Sequence, residues 1–244
     1  MKGKVKGKSG PDCLTISVVT FGVLAVLFCI GMAVGNYKSE NVKTNAAQIS
    51  KVSEISVPLE AESSANLKAY SAKLSSGHYT SGIDFPAGTY TITASKGHGN
   101  VYSSNSIDGG LNEIMGTGKD DTSEFKDAEL PAGEILSISD VTVKIKSDAA
   151  DVDSVVSRDN PVKKQVTLSS GNYIAGTDFE AGTYIIKATD GTGNVYSDST
   201  DRGINAIMST KSDESYIKEF KNVLLDEGTK LTISDVTVRL TPSK

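Results

Sequence analysis

The sequence has no tryptophan, two cysteines and two histidines. The cysteines, Cys13 and Cys29, both precede residue 36, so the remainder of the chain has no disulfide, thiol nucleophile or thiolate metal ligand. The chain also lacks a G-x-S-x-G segment, the turn that carries the nucleophile of α/β-hydrolases. These absences argue against an enzyme, and we predict no catalytic residue, metal or cofactor.

The chain also has no excess of positive charge: its net charge is −5 at pH 7. The few clustered cations are Lys2, Lys4, Lys6 and Lys8, so the rest of the chain is more acidic still. Nucleic-acid binding needs clustered cations that displace counterions from phosphates. We therefore expect no nucleic-acid partner.

Residues 13–35 have no charge, and about 20 apolar residues are enough to cross a bilayer. The lysines before this segment predict a single-pass anchor with a cytoplasmic N-terminus. Because the exported part has no cysteine, the expected location is a bacterial cell membrane. The alternative is a cleaved signal peptide, because Ala33 and Gly35 are small enough for a signal peptidase site. With either interpretation, the following residues are extracytoplasmic.

The sequence repeats itself: residues 74–145 and 168–240 share most of their motifs. We call these the first and second copies, and the duplication predicts two tandem modules. The predicted organisation is a basic N-terminus (1–12), an anchor (13–35), a stalk (36–73), module 1 (74–146), a linker (147–166) and module 2 (167–244).

The stalk is expected to be partly helical. Pro58 opens a segment in which Leu67, Tyr70 and Leu74 recur with helical spacing. A coiled coil that oligomerises the chain is the alternative, although the heptads are few and polar. In the linker, a short helix is expected before Asn160 and Pro161.

Both copies predict an all-β fold. Their β-branched and aromatic runs are separated by glycine-rich turns, and residues 141–146 alternate with period 2. Short strands with a turn about every ten residues indicate a small β-sandwich or Greek-key barrel in each copy.

Residues shared by the copies are the best candidates for a function of the module. His78 and His98 have Asn172 and Thr192 as counterparts, so we interpret both histidines as exposed turn residues. The G-x-G-N segments at residues 97–100 and 191–194 precede strands, which favours hairpin turns over a phosphate loop. Four shared aspartates are expected to bind backbone N–H groups at turns, with calcium as the alternative: Asp84, Asp178, Asp140 and Asp235.

Three tyrosine pairs are also shared: Tyr79 and Tyr173, Tyr90 and Tyr184, Tyr102 and Tyr196. Tyrosine with neighbouring amide side chains is a common means of stacking and orienting a sugar. The candidate ligand-binding residues are therefore Asn100, Tyr102 and Asn112 in the first copy and Asn194, Tyr196 and Asn205 in the second. The other interpretation is that strand tyrosines cover the core.

Three shared patterns carry a resemblance: SGxYxxGxDFxAGTY, then GxGNVYS, then EFK followed by G…LxIS. Together they resemble an uncharacterised β-rich module of Gram-positive bacterial envelope proteins. The resemblance covers both copies but not the stalk, and it implies location without implying an activity. Related modules sometimes carry a cysteine pair or a tryptophan, and this chain has neither in its copies.

Two functions are compatible with these observations. The first is ligand binding or adhesion at the cell envelope, with a glycan or protein partner, by two non-catalytic modules. The second is a structural or accessory role, in which the modules pack on a membrane or envelope protein. A wall-polymer hydrolase using Glu124 and Glu219 is the third and least favoured possibility.

Overall fold

The computed structural model describes residues 65–211 and 216–244, and in these residues the chain is all-β, as predicted. The predicted anchor, and the stalk up to residue 64, lie outside the described residues. Within 65–211 and 216–244, no helix has the length and apolar character needed to cross a membrane.

Equivalent strands occur in both copies. The strands up to the linker are β1 (Leu67–Leu74), β2 (Gly77–Thr80), β3 (Gly88–Ser103), β4 (Asn112–Gly116), β5 (Glu124–Leu130), β6 (Ile135–Ile138) and β7 (Val141–Asp151). The strands after the linker are β8 (Val166–Leu168), β9 (Gly171–Ile174), β10 (Gly182–Ser197), β11 (Asn205–Ser209), β12 (Glu219–Leu225) and β13 (Lys230–Pro242). Strand β13 corresponds to β6 and β7 joined.

The alternation of apolar and polar residues positions these strands. In β7, Val141, Val143 and Ile145 are buried, whereas Lys144 and Lys146 between and after them are exposed. Successive side chains of a strand point to opposite faces, so one face of β7 enters the core. The predicted period of 2 is confirmed for this strand.

Each copy is organised around one long strand. β3 pairs with β7 in its first half and with β6 in its second half, while β5 and β4 pair successively along its other edge. β10 makes the same contacts with β13, β12 and β11. The order along the main path is β1-β7-β3-β6-β2-β12-β10-β13-β8, and all of these pairs are antiparallel except β2 with β12.

Two hydrophobic clusters fill the structure, one formed by residues between 74 and 150 and the other by residues between 162 and 240. Their centres are equivalent, with Tyr90 and Ile92 in one and Tyr184 and Ile186 in the other, all no more than 1% exposed. Burial of one large apolar side chain stabilises a fold by about 1.5–3 kcal/mol. Each copy therefore has its own hydrophobic cluster.

The predicted helix is wrong for Leu67–Leu74, which form β1 and pair with β7 from Leu67 opposite Asp151 to Leu74 opposite Val143. Sheet pairing here outweighs the helical spacing of the apolar residues, and Leu67 is exposed instead of buried. The predicted boundary between stalk and module 1 at residue 73 therefore cuts through a strand.

The boundary at residue 146 also lies within a strand, since β7 continues to Asp151. In place of the expected linker helix there is one 3₁₀ turn, Val152–Ser154. The Asp151 carboxylate caps this turn by accepting the Asp153 N–H at 3.2 Å.

Candidate functional site

The predicted ligand-binding residues of each copy lie together on two adjacent strands. Tyr102 on β3 is directly opposite Asn112 on β4, and Asn100 is opposite Ile114. Directly opposed residues of an antiparallel pair lie on the same face of the sheet. We call these four residues the Tyr102 surface.

The second copy repeats this arrangement. Tyr196 on β10 is opposite Asn205 on β11, and Asn194 is opposite Ile207. We call these four residues the Tyr196 surface. The sequence analysis found three of the four residues in each copy and missed the isoleucine, although its position two residues after the asparagine was a signal that it shares the same face.

Both surfaces face solvent. Tyr102 is 46% exposed and Tyr196 44%, while Ile114 and Ile207 are 56% and 54% exposed. Val101 and Val195, which lie between the asparagine and the tyrosine in each strand, point to the opposite face and are fully buried. The two copies therefore present the same shallow combination of one aromatic ring, one aliphatic side chain and two amides.

The other shared tyrosines are structural, as the alternative interpretation predicted. Tyr79 and Tyr90 are buried, and their hydroxyls donate to the carbonyl oxygens of Ser75 at 2.9 Å and Pro86 at 2.6 Å. Burial raises the pKa of Tyr79 to about 12 and that of Tyr90 well above its ordinary value. Neither phenol is available to a ligand.

The second-copy counterparts of these tyrosines make the same bonds. The Tyr184 hydroxyl donates to the Glu180 carbonyl, and burial raises the pKa of Tyr184 to about 12. Tyr173 donates to the Ser169 carbonyl at 3.1 Å and is partly buried.

The interpretation of His78 as an exposed turn residue is wrong. His78 lies in β2, is 7% exposed, and contacts the Phe220 ring of the second copy at a centroid distance of 5.2 Å. Its Nε2 atom donates to the Gly203 carbonyl at 2.7 Å, which leaves Nδ1 to accept from the Ser137 hydroxyl at 2.8 Å. Burial lowers the pKa of His78. This histidine is a contact between the copies, which explains why only one copy has it.

His98 is exposed, as expected, although it lies within β3 and not in a turn. Its Nδ1 atom lies 2.8 Å from the Asp121 carboxylate, and the same carboxylate accepts from the Gly118 N–H at 3.0 Å. Asp121 is therefore engaged in local structure.

The G-x-G-N segments are not hairpin turns, which corrects the prediction. Each lies inside the long strand, β3 or β10, just after a shift in strand register. Gly97 and Gly191 have positive φ, 80° and 77°. A Cβ atom on Gly99 would lie 1.9 Å from the Ser139 carbonyl oxygen, so this glycine allows the bent strand to approach the turn after β6.

Turn roles are confirmed for the first aspartate pair. The Asp84 carboxylate accepts the Thr80 N–H, and the Asp178 carboxylate accepts the Ile174 N–H, both at 2.7 Å. Asp140 and Asp235 instead adopt the left-handed conformation, with φ of 63° and 59°.

Acidic groups do not gather into a site within residues 65–211 and 216–244, where no three His, Cys, Asp or Glu side chains are placed to hold a metal ion. Glu124 and Glu219 lie near the lysines two positions later, Lys126 at 3.4 Å and Lys221 at 4.0 Å.

A cleft of about 280 Å³ lies where the two copies meet. It is lined by residues of both copies, among them Lys96, Asp140, Tyr216, Lys218 and Glu219. None of the predicted ligand-binding residues lines this cleft, so the exposed tyrosine surfaces and the cleft are separate features.

The chain matches no protein-family model, and no curated protein matches it.

Proposed function

We propose that the chain is a non-catalytic binding protein of the bacterial cell envelope, anchored by residues 13–35 in the membrane. Its two copies act as β-sandwich or Greek-key modules that bind an uncharged polysaccharide through the Tyr102 and Tyr196 surfaces. The observation that carries the proposal is that both copies expose the same tyrosine between the same amides, whereas most of the other shared tyrosines are buried.

The composition of these surfaces suits a sugar chain. An exposed tyrosine ring offers an apolar face on which a sugar ring can stack, and its hydroxyl stays in water. Asn112 and Asn205 each lie directly across the strand pair from the tyrosine and offer both a donor and an acceptor to sugar hydroxyls. The net negative charge of the chain disfavours an anionic polymer.

The shallow shape supports a polymeric ligand over a small molecule. Small-molecule sites are usually concave and bury most of the ligand, whereas these surfaces are open strands. Binding at one such surface would be weak, and two surfaces on one chain would raise the affinity for a repeating ligand through effective concentration.

The test is retention of the detergent-solubilised full chain on insoluble uncharged polysaccharides. We expect retention of the native chain and of Ile107→Ser, a control that changes a 95% exposed residue outside both surfaces. The double variant Tyr102→Ser, Tyr196→Ser should not be retained. Retention of the double variant at the native level, or of no chain on any polysaccharide, would overturn the proposal.

A structural role is the second candidate, in which the copies pack on another protein. The observation that favours it is a pair of strand edges, those of β5 and β9, that have only one partner strand each in the described part of the chain. Free strand edges are templates for pairing with another chain.

A further inference from the structure

The same sequence element is buried in one copy and open in the other. Strand β2 is buried at all four of its positions, and its counterpart β9 is buried at none. The difference arises because β2 lies between β6 and β12, whereas β9 pairs only with β13 among the described residues.

Strand β12 of the second copy covers β2 by a parallel strand contact. Lys221 pairs with Gly77, and the Lys221 N–H donates to the Ser76 carbonyl at 3.1 Å. A Cβ atom at Gly77 would lie 2.8 Å from the Lys221 carbonyl oxygen, so this close approach requires glycine.

Side chains close the contact on either side of the strand pair. The Phe220 ring packs on His78, and Asn222 donates to the Asp84 carboxylate at 3.1 Å. The contact therefore has two halves. One is the Ser-Gly segment that begins β2 in the first copy, and the other is the Glu-Phe-Lys segment that begins β12 in the second copy.

Each half of this contact exists twice in the chain and is used once. The unused Glu-Phe-Lys strand is β5, which pairs only with β3 in the residues that the structure covers. The unused Ser-Gly segment begins β9, with Gly171 in the position of Gly77. The two Glu-Phe-Lys strands share one unusual backbone feature, since Asp127 after β5's lysine and Asn222 after β12's lysine have φ of 58° and 57°.

We propose that two molecules of this protein associate head to tail. Strand β5 of one molecule adds in parallel to the edge of β9 of the next molecule. Lys126 would pair with Gly171 as Lys221 pairs with Gly77. Such an interface joins two different surfaces, so it leaves one half free at each end and can extend to further chains.

The intermolecular contact differs from the internal one in a way that predicts its strength. Asp127 replaces Asn222, and its carboxylate would face Asp178 where Asn222 donates to Asp84. Like charges at an interface are strongly unfavourable, so we expect weak association that removal of this charge tightens. Asn172, in the position of His78, retains a side-chain donor for the backbone carbonyl that it would meet.

Association of this kind leaves the proposed sugar-binding surfaces open. Tyr102 lies in the first copy, where β12 already covers the edge of β2, and Tyr102 is still 46% exposed. By analogy, Tyr196 stays exposed when β5 of another molecule covers the edge of β9. The association therefore does not depend on the proposed function, and either can fail without the other.

The test is sedimentation velocity of the full chain in detergent micelles over a roughly hundredfold range of concentration. We expect the native chain to sediment faster as concentration rises, and Asp127→Asn to do so at about tenfold lower concentration. Gly171→Ala should abolish the association in both backgrounds, because its added methyl group blocks the strand edge.

Unfolding midpoints show whether each variant is folded. The three atoms nearest to a Cβ added at Gly171 belong to the Tyr173 side chain, at 3.0–3.1 Å, and a side chain can shift, so a folded Gly171→Ala variant is expected. A native chain that stays monomeric together with Asp127→Asn would overturn the proposal. Association that neither variant changes would place the contact elsewhere in the chain and would overturn it equally.

Discussion

Arg158, in the segment between the two copies, forms an ion pair with Asp84 of the first copy, with 2.6 Å between its Nη2 atom and the carboxylate. Both side chains are largely buried, at 5% and 13% exposure. The same carboxylate accepts from the Thr80 N–H and from Asn222 of the second copy. Asp84 thus joins a turn, the linker and the second copy. Its exposed counterpart Asp178 is bonded, among the residues that the structure describes, to its own turn.

Asp84→Asn is expected to destabilise the chain far more than Asp178→Asn. Loss of the Asp84 charge leaves the Arg158 guanidinium buried without a counterion, which typically costs about 3–5 kcal/mol. Asp178→Asn removes only a charge-assisted turn bond, and the amide oxygen can still accept the Ile174 N–H, so a loss of about 1 kcal/mol or less is expected. Urea unfolding of both variants measures the difference, and equal losses would contradict the assigned role of Arg158.

Acidification is expected to weaken the contact between the copies through His78. Burial lowers the pKa of His78 in the folded chain below its ordinary value of 6.5, so the unfolded chain binds the proton more tightly. Stability from this residue is therefore complete above pH 6.5 and is lost as the pH falls through the folded-state pKa.

His78→Asn tests this assignment, because Asn172 is the residue that the second copy has in the same place. The variant should have a weaker dependence of its unfolding midpoint on pH between 7 and 5 than the native chain, whatever its stability at pH 7. The charges of Arg202 and Asp201 also act on the pKa of His78. If the unfolding midpoint of His78→Asn depended on pH as strongly as that of the native chain, groups other than His78 would be responsible for the loss of stability in acid.

Gly99→Ala and Gly193→Ala are expected to be severely destabilising. The added Cβ atoms would lie 1.9 Å and 1.8 Å from backbone carbonyl oxygens, and the backbone must move to accept them. Overpacking typically costs about 1–3 kcal/mol and occasionally more, and we expect these variants at the upper end because the obstacle is backbone.

Gly133→Ala and Gly228→Ala are the matched controls. Both glycines have positive φ but no atom within 4 Å of an added Cβ, so only the conformational cost of about 1–2 kcal/mol applies. Thermal unfolding compares the four variants. If Gly99→Ala and Gly193→Ala were no more damaging than the two control variants, close approach to the carbonyl oxygens would not explain Gly99 and Gly193.

The sequence was sufficient to predict the all-β class, because β-branched and aromatic runs alternate with glycine-rich turns. Proximity in sequence was sufficient to select the tyrosine and asparagine residues, whereas the pairing of Tyr102 with Asn112 depends on strand register. It was insufficient where tertiary contacts override local pattern. Leu67, Tyr70 and Leu74 have helical spacing, but pairing with β7 makes them a strand.

Long-range contacts explain the other errors as well. His78 has the setting of a turn residue in sequence, and only the position of Phe220 and Gly203 in the second copy makes it buried. The glycines of the G-x-G-N segments suggest a hairpin, since the sequence does not reveal that the turn after β6 packs against the strand at Gly99.

The most direct test of the account is the affinity of the full chain for an immobilised uncharged polysaccharide, measured for the native chain, Tyr102→Ser, Tyr196→Ser and the double variant. We predict that each single variant binds about a hundredfold more weakly than the native chain, because one of two linked contacts is lost. The double variant should not bind. Native-like affinity in both single variants, or binding by the double variant, would contradict the proposal that these two tyrosine surfaces form the binding site.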